Sequence, residues 1–292
     1  MRIDLHTHSR ASDGTQTPAE LMRAASAAGL DVVAITDHDT CAGWAEAERA
    51  AYDVSITLVR GMEISTKFRG KGVHLLGYLP DPTYEPLVQG LVRILDGRNG
   101  RVPGIVERLQ GIGIDIAEDD VHRLAGDPAA VGRPHVADAL IDLDVVVDRK
   151  EAFAKYLNPG RPAYVNRYAA PLEEMIATVA GAGGVTVVAH PWGRGRAEDL
   201  DEAAFAHLLE VGLSGIEVDH QDHDASSRTA LRGIARNLDL VVTGSSDHHG
   251  AGKVNHELGC NTTDPEEFDR LLERARAAAG ASGRGTPEVL TR

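Results

Sequence analysis

Val32-Val33-Ala34-Ile35-Thr36-Asp37-His38-Asp39 is an apolar run of strand length that ends in side chains able to hold a cation. Ile3-Asp4-Leu5-His6-Thr7-His8 repeats the arrangement near the N-terminus. Further short apolar runs occupy residues 56–59, 73–78, 185–189, 215–218 and 240–243, giving seven expected strands. Helical patterns separate most of them. Thr17-Pro18-Ala19-Glu20 and Asp264-Pro265-Glu266-Glu267 each offer an N-cap, a proline at the first helical position and an acid at the third. Alternation of strand and helix predicts parallel strands and an α/β barrel.

The rhythm breaks between residues 97 and 165, where 102–109, 119–124, 134–141 and 149–157 read as short helices without strands between them. This predicts a barrel formed by residues 1–96 and 166–279 with an inserted helical lid at 97–165. Residues 280–292, rich in Gly, Ser, Arg and Thr, are expected to form a flexible tail.

Composition bounds the function. The 292 residues are 42% hydrophobic and carry 44 acidic against 30 basic side chains, a formal net charge of −14. That balance argues against a broad surface for duplex nucleic acid or an anionic membrane, so an anionic substrate must be attracted locally. Cys41 and Cys260 suggest no disulfide framework, and the first residues lack the apolar run of a signal peptide, so a cytoplasmic location is expected.

The polar residues cluster at the ends of the expected strands. His6 and His8, two apart, project from the same side of an extended backbone, as two ligands of one ion require. Asp13 follows in the next loop. The second strand ends in Asp37-His38, the third in Glu63, the fourth carries His74, the fifth ends in His190, and the last in Asp247-His248-His249. One histidine beside a strand is commonly just a satisfied polar group. Recurrence at six strands is what argues for a metal centre on the face where such barrels build their active sites. No cysteine belongs to the set, and imidazole with carboxylate suits manganese, iron or zinc in a catalytic site.

From His6-Thr7-His8 and Thr36-Asp37-His38 through Glu63, His74 and His190 to Asp247-His248-His249, the chain resembles the PHP (polymerase and histidinol phosphatase) superfamily. Gly132-Arg133-Pro134-His135, and Gly215-Ile216-Glu217-Val218 followed by His223, are similar to the subgroup of nucleoside 3′,5′-bisphosphate phosphatases and related 5′ to 3′ exonucleases. The resemblance implies a distorted (β/α)₇ barrel, in agreement with the strands counted above. It also implies two or three divalent ions, with manganese favoured and iron or zinc as alternatives. His6, His8, Glu63 and Asp247 would hold one ion, Glu63 would bridge to a second held by His74 and His190, and Asp13, His38 and His249 would hold a third. His248 is read as structural.

Under that resemblance the reaction is phosphomonoester hydrolysis. Water held by the metals, its pKa lowered from about 16 toward about 7, would supply the attacking hydroxide. Asp247 would orient it, and His190 or His223 would protonate the leaving oxygen. Arg133 and His135 beside Pro134 at a helix start, with Arg161 and Arg194, are the expected substrate-binding residues; Arg196 adds charge near Arg194. Trp192 could stack on a base or pack in the core. The expected substrate is a small phosphorylated nucleotide or short oligonucleotide. Histidinol phosphate as substrate, C–N bond hydrolysis by an amidohydrolase, and a noncatalytic metal-stabilised module are the competing readings.

Overall fold

The first strand, β1 (Ile3–Asp4), leads through a loop to helix α1 (Pro18–Ala27), which starts where the Thr17 side chain accepts from the Glu20 N–H and the Glu20 side chain answers on the Thr17 N–H. Then follow β2 (Val32–Ile35), α2 (Trp44–Val54), β3 (Thr57–Phe68), β4 (Lys71–Tyr78) and α3 (Glu85–Asn99). Four short helices come next: α4 (Val102–Gly111), α5 (Glu118–Ala125), α6 (Arg133–Asp142) and α7 (Arg149–Ala152), the last running into a π-helical turn at Phe153–Leu157. The strand and helix alternation resumes with β5 (Ala170–Pro171), α8 (Leu172–Gly181), β6 (Val185–Ala189), α9 (Glu202–Val211), β7 (Gly215–Asp219), α10 (Ala225–Asn237), β8 (Val241–Gly244) and α11 (Pro265–Ser282). This computed structural model describes residues 1–126, 128–193, 199–285 and 289.

The strands form one sheet in the order β1-β2-β3-β4-β6-β7-β8, with the short β5 added to β3. A bridge between Thr7 and His248, with the His8 N–H donating to His248 O at 2.8 Å, brings the last strand's end to the first and nearly closes a seven-stranded barrel. The fold is the distorted (β/α) barrel expected, with one correction to its strand directions. β4 pairs antiparallel with both β3 and β6. The cause is local: β3 continues past Glu63 to Phe68 and reverses at Arg69-Gly70, both with positive φ (49° and 80°). A two-residue turn of that kind admits only an antiparallel return. The reversal puts His74, opposite Ser65 and Ala189, at the same rim as the C-terminal end of β6.

Alternate residues of each strand enter different cores. Val33, Ile35, Leu58, Leu75 and Val188 pack beneath the flanking helices, whereas Val32, Ala34, Val59, Leu76 and Val187 pack with Phe268, Leu271 and Ala275 of α11. The short helices enclose a separate apolar cluster that includes Val102, Ile105, Leu109, Val136, Leu140 and Leu157. α3 belongs to the barrel side, burying Leu87, Leu91 and Ile94 there. The C-terminal helix runs to Ser282, past the expected tail onset at 280, and Gly283 caps it at φ 69°. Arg284 then lies over the Tyr84 ring at 4.5 Å and pairs with Asp81. Among the described residues no helix is long and apolar enough to cross a membrane.

Candidate metal centre

The ligand candidates meet at one rim of the barrel. Thr7 turns outward, donating its hydroxyl to Ala34 O at 2.6 Å, and so turns its two neighbours inward. His6 and His8 are buried, their Nε2 atoms 3.0 Å apart. Glu63 Oε2 lies 3.4 and 3.2 Å from those nitrogens and Asp247 Oδ1 lies 3.6 and 3.5 Å from them. Glu63 divides its oxygens: Oε2 also faces His38 Nδ1 at 3.1 Å, while Oε1 faces His74 Nδ1 at 2.7 Å and His190 Nε2 at 3.1 Å. Asp13 makes a third grouping, its carboxylate 3.4 Å from His249 Nε2, 3.7 Å from His38 Nε2 and 3.8 Å from His8 Nδ1. All nine residues named for metal binding therefore converge.

The surroundings fit cations. Burial alone would raise the carboxyls of Asp13, Glu63 and Asp247, yet all three are held well below the usual range. The neighbours that lower them are His38 and His249 for Asp13, His74 and His38 for Glu63, and Lys253 and His6 for Asp247. Burial pulls His6 down, but Glu217, Glu63 and Asp247 outweigh it and push it well above its normal value, the mark of a surplus of negative charge that a divalent ion would neutralise. His38 Nδ1 is buried and, although 3.1 Å from Glu63 Oε2, makes no aligned hydrogen bond among the described residues. The donor set is nitrogen and oxygen throughout, as a catalytic divalent site requires.

The layer behind the ligands is ordered too. His6 Nδ1 donates to Glu217 Oε1 at 2.9 Å, which leaves Nε2 as its ligand atom. Glu217 also accepts the His190 N–H at 2.7 Å and the Ser245 hydroxyl. Asp247 Oδ2 is gripped by His220 Nε2 at 3.1 Å and by Lys253 Nζ, so that Oδ1 is the oxygen presented to His6 and His8. His190 and Asp247 have positive φ (30° and 52°), a backbone state that persists for such residues where surrounding contacts hold it.

Several expectations meet a different arrangement. His223 Nδ1 donates to Val218 O at 2.9 Å and Nε2 accepts the Trp192 N–H at 3.2 Å, so both ring nitrogens are engaged with backbone. His135 is likewise engaged at both nitrogens with backbone, Gly132 N and Ser12 O, and burial lowers its pKa. Arg161 is exposed and outside the cavity described next, and Arg194 and Arg196 lie outside the described residues. Trp192 packs against the core and donates its indole N–H to Leu200 O at 2.9 Å. His248 bridges His256 O and Gln16, consistent with its structural reading.

Arg133 does line a cavity of about 300 Å³ that opens beside His74 and His190, together with Arg101, Arg167 and Tyr164. In the sequence Glu217 stands only within a motif, His223 is preferred to His220 in the run His220-Gln221-Asp222-His223, and Lys253, Arg101 and Arg167 have no role. A glutamate inside the otherwise apolar run 215–218 was the available signal for the first; Arg101 and Arg167 carried none, because the turn before α4 and the loop before β5, far apart in sequence, bring them together.

Comparison with known proteins agrees with this geometry. The PHP domain family matches residues 4–101. A 3′,5′-nucleoside bisphosphate phosphatase of Chromobacterium violaceum is 35% identical over 257 residues, 88% of this chain and 90% of that protein. A 5′-3′ exoribonuclease of Haemophilus influenzae is 35% identical over 248 residues, 85% and 90% of the two chains. A solved structure from Bifidobacterium adolescentis, assigned as a metal-dependent phosphoesterase, superposes with a TM-score of 0.89 at 37% identity, covering 93% of this chain and 96% of its own. Relatives alike over nearly their whole length, and a barrel rim crowded with imidazoles and carboxylates, place this chain among the metal-dependent phosphoesterases of the PHP-domain family.

Proposed function

We propose that this enzyme removes the 3′-phosphate of nucleoside 3′,5′-bisphosphates and also accepts short 5′-phosphorylated oligonucleotides, with manganese as its metal. The observation that carries this reading is the cavity, which has His74 and His190 of the metal centre at one side and Arg101, Arg133 and Arg167 at the other. Arg101 is only 6% exposed, and its Nε has no hydrogen-bond partner among the described residues. Burial, followed by the charges of Arg133, Arg167 and Arg98, pulls its pKa down to about 8. The nearby Asp39 carboxylate is taken by Arg98 at 2.8 Å. A buried guanidinium in that situation calls for an anion, and planar guanidinium groups suit phosphate. A ligand with one phosphate at the metals and another at the arginines satisfies both ends. The names of the Chromobacterium and Haemophilus relatives fit the same substrate class.

In this reading His6, His8, Glu63 and Asp247 hold one ion, Glu63 with His74 and His190 a second, and Asp13, His38 and His249 a third. When bound, the ions supply Lewis acidity and a lowered water pKa for attack on phosphorus. The chain's own part is placement. Asp247, with Oδ2 fixed by His220 and Lys253, keeps Oδ1 in position to orient the attacking water. His190 stands at the junction between the centre and the cavity, while Arg101, Arg133 and Arg167 fix the distal phosphate.

The test is phosphate release from adenosine 3′,5′-bisphosphate, histidinol phosphate and 5′-AMP, with manganese and with a chelator. Manganese-dependent release that is fastest from the bisphosphate supports the assignment. Preference for histidinol phosphate overturns the substrate while leaving the metal centre in place.

A further inference from the structure

The short helices reach the metal centre at one segment of chain, the loop that carries Asp13. His135, on the first turn of α6 and 5% exposed, accepts the Gly132 N–H on Nδ1 at 3.1 Å. Its proton is therefore on Nε2, which donates to Ser12 O at 3.0 Å. Arg149, at the start of α7, places Nε and Nη2 on the two oxygens of Asp138 at 2.6 and 2.7 Å and extends Nη1 to Asp13 O at 3.1 Å. Asp138 belongs to α6, so the two grips form a single unit.

The barrel holds the same loop from the other side. The Asp37 carboxylate accepts the Ser9 N–H, the Ser9 hydroxyl and the Ser12 hydroxyl at 2.8, 2.6 and 2.7 Å. Gly14 closes the loop against His8, where a Cβ would lie 2.4 Å from His8 O. Most other candidate ligands stand on or beside paired strands: His74 opposite Ala189, His38 bridged to Glu63, and the His8 N–H bonded to His248 O. Asp13 is five residues beyond His8 in a loop with no ladder of its own, and it faces His38 and His249 from there.

We propose that His135 and Arg149 are positioning residues that make occupation of the Asp13–His38–His249 metal site depend on the inserted helices being seated on the barrel. The inference rests on the ligand assignment above and extends it: the helices that line the substrate cavity with Arg101 and Arg133 also determine whether that site fills. Such outer partners typically change metal affinity by about 10- to 100-fold.

The experiment is manganese binding, by calorimetric titration and by metal content after equilibrium dialysis, on the full chain and on Asp13→Ala, His135→Ala, His135→Gln and Arg149→Lys. Asp13→Ala should lose one site. His135→Ala and Arg149→Lys should weaken that same site by about 10- to 100-fold with the remaining sites unchanged, the latter also reporting that the barrel is folded. His135→Gln, which can both accept and donate, should recover part of the loss. If Asp13→Ala binds like the native chain, the ligand assignment fails and the inference with it. If Asp13→Ala loses a site but the His135 and Arg149 variants do not, or if they weaken every site alike, the assignment stands and the coupling is overturned.

Discussion

The metal centre and the arginine cavity adjoin each other but are built by opposite means. At the centre, candidate ligands stand mainly at the ends of strands or just beyond them, where hydrogen-bonded ladders fix the backbone and alternation fixes the direction of each side chain. Each carboxylate there is answered by an imidazole or ammonium. The cavity's cationic side comes from Arg101 just before α4, the start of α6 and the loop before β5, and its cations face one another, with the Arg101 Nε unpartnered among the described residues. One region is complete but for its ions; the other needs a ligand's charge. A single amino acid change should therefore act very differently in the two places.

The largest expected effect is at the centre. Asp247→Asn keeps the shape of the side chain and removes the charge that faces His6 and His8, so turnover should fall by about 10²- to 10³-fold, the scale of losing one preorganised electrostatic group. Steady-state rates measured beside metal content check it: a variant that still holds its metals and still turns over would remove Asp247 from the mechanism. A smaller and more selective effect is expected in the cavity. Arg101→Met should lower kcat/KM for the bisphosphate by about 10- to 100-fold, corresponding to about 1.5–3 kcal/mol for a charged hydrogen bond, and should barely change the rate on 5′-AMP. Because it also removes a buried, poorly compensated charge, the melting temperature of the unliganded protein should hold or rise. Equal loss on both substrates, or a clear loss of stability, would break the contrast between the two regions.

The same contrast explains what the sequence disclosed. His6, His8, His38, Glu63, His190 and Asp247 were legible because a strand leaves few directions for a side chain to point. The helices at 102–109, 119–124, 134–141 and 149–157 were legible from their apolar spacing, and they form within a residue or two of those bounds at each end except where α7 passes into a π turn. Contacts between elements were not legible. His223 and His135 have the residue type of a catalytic or binding group, but their ring nitrogens are consumed by backbone atoms that no spacing predicts. Arg101 and Arg167 stand in segments with no motif of their own, and only the folded chain brings them to one cavity. The direction of β4 was missed because the run 56–59 looked complete, although Ile64 and Phe68 carry β3 on to a glycine turn.

That turn gives the smallest expected effect, and it lies on the boundary between the two regions. Gly70 occupies φ 80° at the tip of the β3–β4 hairpin, with open space where a Cβ would project. It lines the cavity, and the strand beyond it carries His74. An alanine there meets no clash, so the cost is confined to the backbone, about 1–2 kcal/mol for a side chain held in the left-handed region. Asparagine tolerates that region better and should cost less than alanine. If the hairpin ladder alone fixes His74, Gly70→Ala should lower the melting temperature by a few degrees while leaving manganese affinity and kcat at native values. A loss of metal affinity matching the loss of stability would mean that the strand ends are less rigid than their ladder implies, and that the contrast drawn here between a self-supporting centre and a ligand-dependent cavity is one of degree.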